Sequence, residues 1–175
     1  MDDKYGSVQK LLHWLVALLV VVQVGLGATV AYAPPHDDAL TARLFGTHDG
    51  IGATILALVL LRLLVRLLVG VPVLPRGTPR FVEWLAHLNH RLLYLVLIVQ
   101  PLLGYFNNGA HGYPWSIYGY YTIPALIGKD EALGNLLKQA HEIGGAVLIA
   151  LVALHLLGAF YHGVIRRDGV VSRIV

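Results

Sequence analysis

Four apolar stretches dominate the chain, at about 11–33, 48–71, 81–106 and 139–165, separated by short polar breaks. Each exceeds the roughly 20 residues that a helix needs to cross a hydrocarbon core about 30 Å thick. Pro34-Pro35, Pro72 with Pro75 and Pro79, and Pro114 mark the connections, because proline cannot continue a helix and favours turns. The pattern predicts an all-α membrane protein, a four-transmembrane-helix bundle forming a single domain over residues 1–175. Neither an internal repeat nor a low-complexity tract interrupts it.

Composition strengthens this picture. Charged residues make up 13% of the sequence and the mean hydropathy is +0.67, whereas an ordinary soluble domain is about 25% charged. The net charge of +3 does not point to nucleic acid, since the basic residues gather at helix ends and not along one face. Cysteine is absent, which excludes disulfides, cysteinyl iron–sulfur clusters, a thiolate haem ligand and covalent c-type haem attachment. The N-terminus, with Lys4, Lys10, an apolar run and Ala31-Tyr32-Ala33, imitates a secretory signal. The run is too long for a typical signal core and contains His13, so it is expected to stay as the first spanning helix.

Lysine and arginine counts orient the bundle. Lys4, Lys10, Arg66, Arg76, Arg80, Arg166, Arg167 and Arg173 flank one side, against Arg43, Lys129 and Lys138 on the other. The positive-inside rule then places both termini in the cytoplasm. The long third connection, with GYPWSIYGYYTIPALIG, faces outward and has the aromatic character of an interfacial segment. It could serve as a lid over the bundle or as a docking surface.

Histidine carries the candidate chemistry. His141 and His155 share one uninterrupted apolar helix; fourteen residues return the second imidazole to within about 40° of the first, roughly 21 Å further along. That separation suits two redox centres near opposite faces of a membrane. His13 and His48 begin the first and second predicted helices at the inner and outer sides. The expectation is an inner pair, His13 with His155, and an outer pair, His48 with His141, each binding the iron of a b-type haem between two helices. Two imidazoles fill both axial positions and leave no open site, which suits one-electron transfer. Gly50 with Gly52, and Gly144 with Gly145, follow the outer histidines. They would admit either a flat macrocycle against the backbone or simply close helix packing.

Arg62 lies fourteen residues after His48, at the level of the inner site. It would either pair with a haem propionate, since an intramembrane arginine is costly without a partner, or snorkel to the headgroups, as is expected of Arg66. His87, His90 and His162 cluster at the inner interface. A quinone headgroup needs hydrogen-bond partners and a proton route, which histidine supplies, and His90 and His162 are the better candidates. His36 and His111 fall in outer loops and are expected to be solvated.

These residues, in KYGSVQKLLHW, HDGIGATILALVLLRLLVRL, WLAHLNHRLLYLVLIVQPLLG, Pro114-Trp115 and HEIGGAVLIALVALH, together resemble the bacterial cytochrome b561 family over nearly the whole chain. The resemblance implies a four-helix protein with two non-covalent haem b groups, iron ligands at His13, His48, His141 and His155, and exchange of electrons with ubiquinone near His90 and His162. It implies a multi-pass protein of the bacterial inner membrane. A characterised member looks like a superoxide oxidase, taking electrons from periplasmic superoxide. Here the outer Arg43, Lys129 and Lys138 are opposed by Asp37, Asp38, Asp130 and Glu131, so no basic field for steering an anion is visible. The alternative is a cytochrome b subunit linking a partner dehydrogenase or hydrogenase to the quinone pool. A haem-free transporter would show broken helices or inverted repeats, and the sequence has neither.

Overall fold

Residues 4–32, 37–73, 75 and 77–175 are described by the structure, a computed structural model. Arg76, His36, Ala33 and the Pro34-Pro35 pair, all used in the sequence reading, lie outside the described residues. Four long helices, α1 (Ser7–Tyr32), α2 (Asp38–Val69), α3 (Arg80–Ala110) and α4 (Glu131–Phe160), account for most of the chain. A hairpin of β1 (Trp115–Ile117) and β2 (Tyr121–Ile123) sits between α3 and α4. A π-helical turn, Tyr161–Arg166, extends α4, and a single 3-10 turn, Val171–Arg173, ends the fold. All four helices are long and apolar enough to span a membrane.

The helices begin earlier than hydrophobicity alone predicts. Asp37 caps α2 by accepting a hydrogen bond from the Leu40 amide at 2.9 Å, and Asp130 caps α4 through the Leu133 amide at 3.0 Å. Capping aspartates satisfy amides that have no partner within the helix, and both precede polar turns that an apolar window passes over. His48 and His141, expected at helix starts, therefore stand ten residues inside α2 and α4. His13 is likewise six residues beyond the first residue of α1. The third connection shortens to residues 111–130. Gly70, at φ 81°, ends α2 with its amide bonded to the Arg66 carbonyl, a backbone conformation that glycine adopts without strain.

The buried core lies midway along the helices. Val16 and Val20 of α1, Ile51, Ile55 and Val59 of α2, and Leu148 of α4 form it, with Leu93, Tyr94, Leu97 and Ile98 of α3 packed around. Leucine and valine such as Leu18, Val21, Leu67 and Leu156 point outward instead, the reverse of a soluble bundle and the arrangement that lipid requires.

At the outer end the hairpin seats on α2. Its strands pair antiparallel with Trp115 opposite Ile123 and Ile117 opposite Tyr121. Tyr118 and Gly119 both take positive φ, 54° and 75°, as a tight hairpin turn demands. A Cβ on Gly50 would come within 2.6 Å of the Tyr118 ring, and one on Gly46 within 3.1 Å of the Gly119 nitrogen. The Tyr118 hydroxyl bonds Thr54 at 2.6 Å, and the Asp49 carboxylate accepts from Asn108 at 2.9 Å. Gly144 faces the Gln100 side chain, and Gly52 lies near Gln23. Gly50, Gly52 and Gly144 thus each admit a neighbouring side chain close to the helix backbone.

The inner end is closed by the tail. The Tyr5 amide donates to the Arg173 carbonyl at 3.2 Å and the Trp14 indole to the Ile174 carbonyl at 3.0 Å. Arg173 and Arg166 donate to the carbonyls of Val73 and Gly77 at 2.6 and 3.1 Å. The last residues thus tie α1 to the connection between α2 and α3.

Candidate functional site

The bundle brings histidines from different helices face to face at two depths. His13 of α1 meets His155 of α4 with ring centroids 6.1 Å apart. His48 of α2 meets His141, ten residues beyond the first residue of α4, also at 6.1 Å. A third imidazole, His90 of α3, packs edge-on against His155 at 5.2 Å.

Hydrogen bonds determine which ring nitrogens are free. His141 Nδ1 donates to the Gln100 carbonyl at 3.1 Å, while the Gln100 side chain donates back to the His141 carbonyl at 2.9 Å. Nε2 of His141 is left available. At His48, Gln23 donates to the carbonyl at 3.0 Å and its amide nitrogen lies 3.2 Å from Nε2. His90 Nδ1 donates to the Ala86 carbonyl at 2.7 Å. His13 Nδ1 and His48 Nδ1 are buried without a partner. A buried unpaired ring nitrogen costs about 1–3 kcal/mol; a metal at Nε2 would leave these Nδ1 atoms unpaired, so the fit of the pairs rests on their spacing.

Two imidazoles bound to one metal through bonds of about 2 Å have ring centres roughly 6 Å apart. Both pairs match that spacing and lie on separate helices, so these residues fit an iron porphyrin held between them. His90 lies closer to His155, at 5.2 Å, than two imidazoles on opposite sides of one iron would stand, whereas His13 lies at the fitting distance of 6.1 Å. An iron at Nε2 of His48 would displace Gln23 from that atom while leaving the Gln23 bond to the carbonyl.

The remaining candidates separate. Arg62 lies over the Tyr94 ring at 5.6 Å, and Arg66 over the same ring at 5.9 Å. Both arginines, with Tyr5, Gln9 and Ile174, line a small cleft at the inner end. Tyr94 is a partner that neither sequence-based account of Arg62 included. His162 is buried, 5% exposed, on the π-helical turn. Its Nδ1 bonds Asp168 Oδ2 at 2.7 Å, and Arg166 reaches the same oxygen at 3.1 Å. Burial works against the Asp168 charge, but hydrogen bonds from His162 and the Val170 amide, with the charges of His162 and Arg166, hold its carboxyl below the ordinary value. His90 and His162 share no hydrogen bond or ring contact. His87 is exposed beside Glu83 at 3.8 Å, and His111 donates to the Asn107 carbonyl at 2.9 Å while packing on Gly134.

Gln23, Gln100, Tyr94 and Asp168 are the residues that the histidine pattern passed over. The two glutamines did carry a signal, since a polar side chain deep in an apolar run marks a partner inside the bundle.

Helices that cross a membrane and oppose imidazoles in pairs define a membrane electron-transfer protein. The prokaryotic cytochrome b561 family matches residues 4–175, and the chain belongs to that family. It is 28% identical to the probable superoxide oxidase CybB of Yersinia pestis over all of this chain and 97% of that protein. It is 24% and 26% identical to cytochrome b561 homologs 1 and 2 of Escherichia coli (strain K12), over 99% of this chain and 97% and 92% of theirs. Membership implies binding of b-type haem, and the oxidoreductase character of the family comes with it.

Proposed function

We propose that this chain is a two-haem oxidoreductase of the bacterial inner membrane that takes electrons from superoxide at the periplasmic side and reduces ubiquinone. The observation that carries this reading is the pair of histidine couples, His48/His141 and His13/His155, each at 6.1 Å and each spanning two helices. A haem held by each couple would supply a one-electron carrier. The chain's own part is to orient the imidazoles, through the Gln100 carbonyl at His141 and through Gln23 at His48, and to keep both termini on the cytoplasmic side. Ubiquinone takes the electrons at the inner end near His90, whose Nε2 is free, and His162.

Stopped-flow mixing of the detergent-purified protein with superoxide, with and without a short-chain ubiquinone, tests the proposal. The protein alone is expected to show reduced b-haem bands on mixing and to lose them when quinone is added. His141→Ala should remove the outer haem selectively; loss of only the inner haem would overturn the pairing.

A second reading, an electron-transfer subunit serving a docked enzyme, draws on the outer surface. Lys129 and Lys138 are paired with Glu131 and Glu142 at 3.2 and 3.9 Å, which weakens any steering of an anion. Tyr113, Tyr120 and Tyr121 of the connection between α3 and α4 stand exposed, and tyrosine is enriched where proteins dock. Haem reduction that occurs only with a partner protein present would establish this reading over the first.

A further inference from the structure

We propose that His162 and Asp168 form a proton inlet, carrying protons from the cytoplasmic face to a quinone reduced below the inner histidine pair. The inference rests on the ubiquinone reading above and assigns a role to Asp168, which acts through His162.

Three observations carry it. His162 follows His155 by seven residues, so it returns to nearly the same face about 10 Å nearer the cytoplasmic end. Its imidazole is buried, with Nδ1 held by Asp168 at 2.7 Å and no hydrogen bond on Nε2. The Asp168 side chain is 11% exposed, and it closes the chain from His162 toward water. The turn that carries His162 is π-helical, a widened geometry that occurs frequently at functional sites.

The charged and titratable groups around the pair are few. Arg166 reaches Asp168 at 3.1 Å, the Val170 amide donates to the other carboxylate oxygen at 3.3 Å, and the Tyr161 ring packs edge-on against His162. Lys10 and Arg173, on the neighbouring segments, bond backbone carbonyls instead. An arginine–carboxylate pair alone would anchor the tail. The added imidazole has two ring nitrogens on opposite sides, so it can accept a proton at one and release one at the other.

Reduction of one quinone to quinol takes two electrons, delivered singly from the inner haem, and two protons. For each proton, the N–H bond at His162 Nε2 breaks and an O–H bond forms on a quinone oxygen. That leaves the ring protonated only at Nδ1, against Asp168; rotation of the ring exchanges its two nitrogens, and one proton from cytoplasmic water, passed by the Asp168 carboxylate to the bare nitrogen, restores the pair to its starting charge.

The test uses the full haem-loaded protein, reduced with dithionite and mixed with a short-chain ubiquinone in H2O and in D2O. Asp168→Asn should slow quinol formation by about tenfold or more and change its solvent isotope effect, and Asp168→Glu should recover most of the rate. Nitrogen-15 NMR of histidine-labelled protein supplies a readout independent of turnover: a strongly hydrogen-bonded imidazole N–H in the wild type that Asp168→Asn abolishes. Equal rates and isotope effects in wild type and Asp168→Asn would overturn the inlet, as would a wild-type spectrum without that N–H. A reduced wild-type protein that quinone fails to oxidise would instead overturn the ubiquinone reading on which the inlet rests.

Discussion

Gln23 and Gln100 show how much a single polar side chain accomplishes inside this bundle. Each donates to the backbone carbonyl of an outer histidine, at 3.0 and 2.9 Å, and so ties α1 to α2 and α3 to α4. Hydrogen bonds between membrane helices contribute about 0.6 kcal/mol on average. Gln23→Leu should therefore lower thermal stability in detergent only modestly while leaving the outer site able to load haem, because Nε2 of His48 is then free. A haem-to-protein ratio with the melting curve checks both halves. The histidines were legible in the sequence because their spacing on apolar runs has a direct geometric meaning. Gln23 stood out only as a polar residue in an apolar run; which partner it takes was not legible, because that partner is 25 positions away on another helix and no local period encodes the contact. Asp168 was missed for a similar reason: it lies six residues beyond His162, past the point where the α-helical period holds.

Elements were easier to foresee in kind than in extent. Four spanning helices follow from hydrophobicity, but their true starts depend on Asp37 and Asp130, which cap from outside the apolar runs. The hairpin carried a strand signal, aromatic and β-branched residues on both sides of Tyr118-Gly119, but the same composition reads equally as an interfacial loop. Its place depends on a tertiary fit, the Tyr118 ring lying where a Cβ on Gly50 would stand. Gly50→Ala should force Tyr118 off the helix and break its bond to Thr54, at a cost of about 1–3 kcal/mol. Protease should then cleave residues 111–130 faster than in the wild type. Tyr118→Phe, which keeps the ring and loses only the hydroxyl bond, should cost about 1 kcal/mol and leave the segment protected.

Across the whole molecule, the tail is the feature that unites distant parts of the chain. Asp168 anchors it, and its carboxyl is held below the ordinary value. A lowered carboxyl contributes its full stabilisation above the unfolded value, about 3.9. That contribution drains away as the pH falls from there through the folded value. Pepsin should therefore release residues 167–175 from the wild type only below about pH 4, and from Asp168→Asn already at about pH 5. Membrane spanning and the sorting of histidines by depth were visible in composition and spacing. The tail's return to Tyr5 and Trp14 was not, since its contacts are mostly to backbone carbonyls, which any sequence could offer.

The division of labour among the helices also constrains biogenesis. α4 contributes one member to each histidine couple, His141 to the outer and His155 to the inner. A nascent chain that has inserted only its first three helices owns no complete couple at either depth. On the proposed ligation, pigment capture awaits the last spanning segment, and ribosome-stalled intermediates ending before Glu131 should emerge colourless.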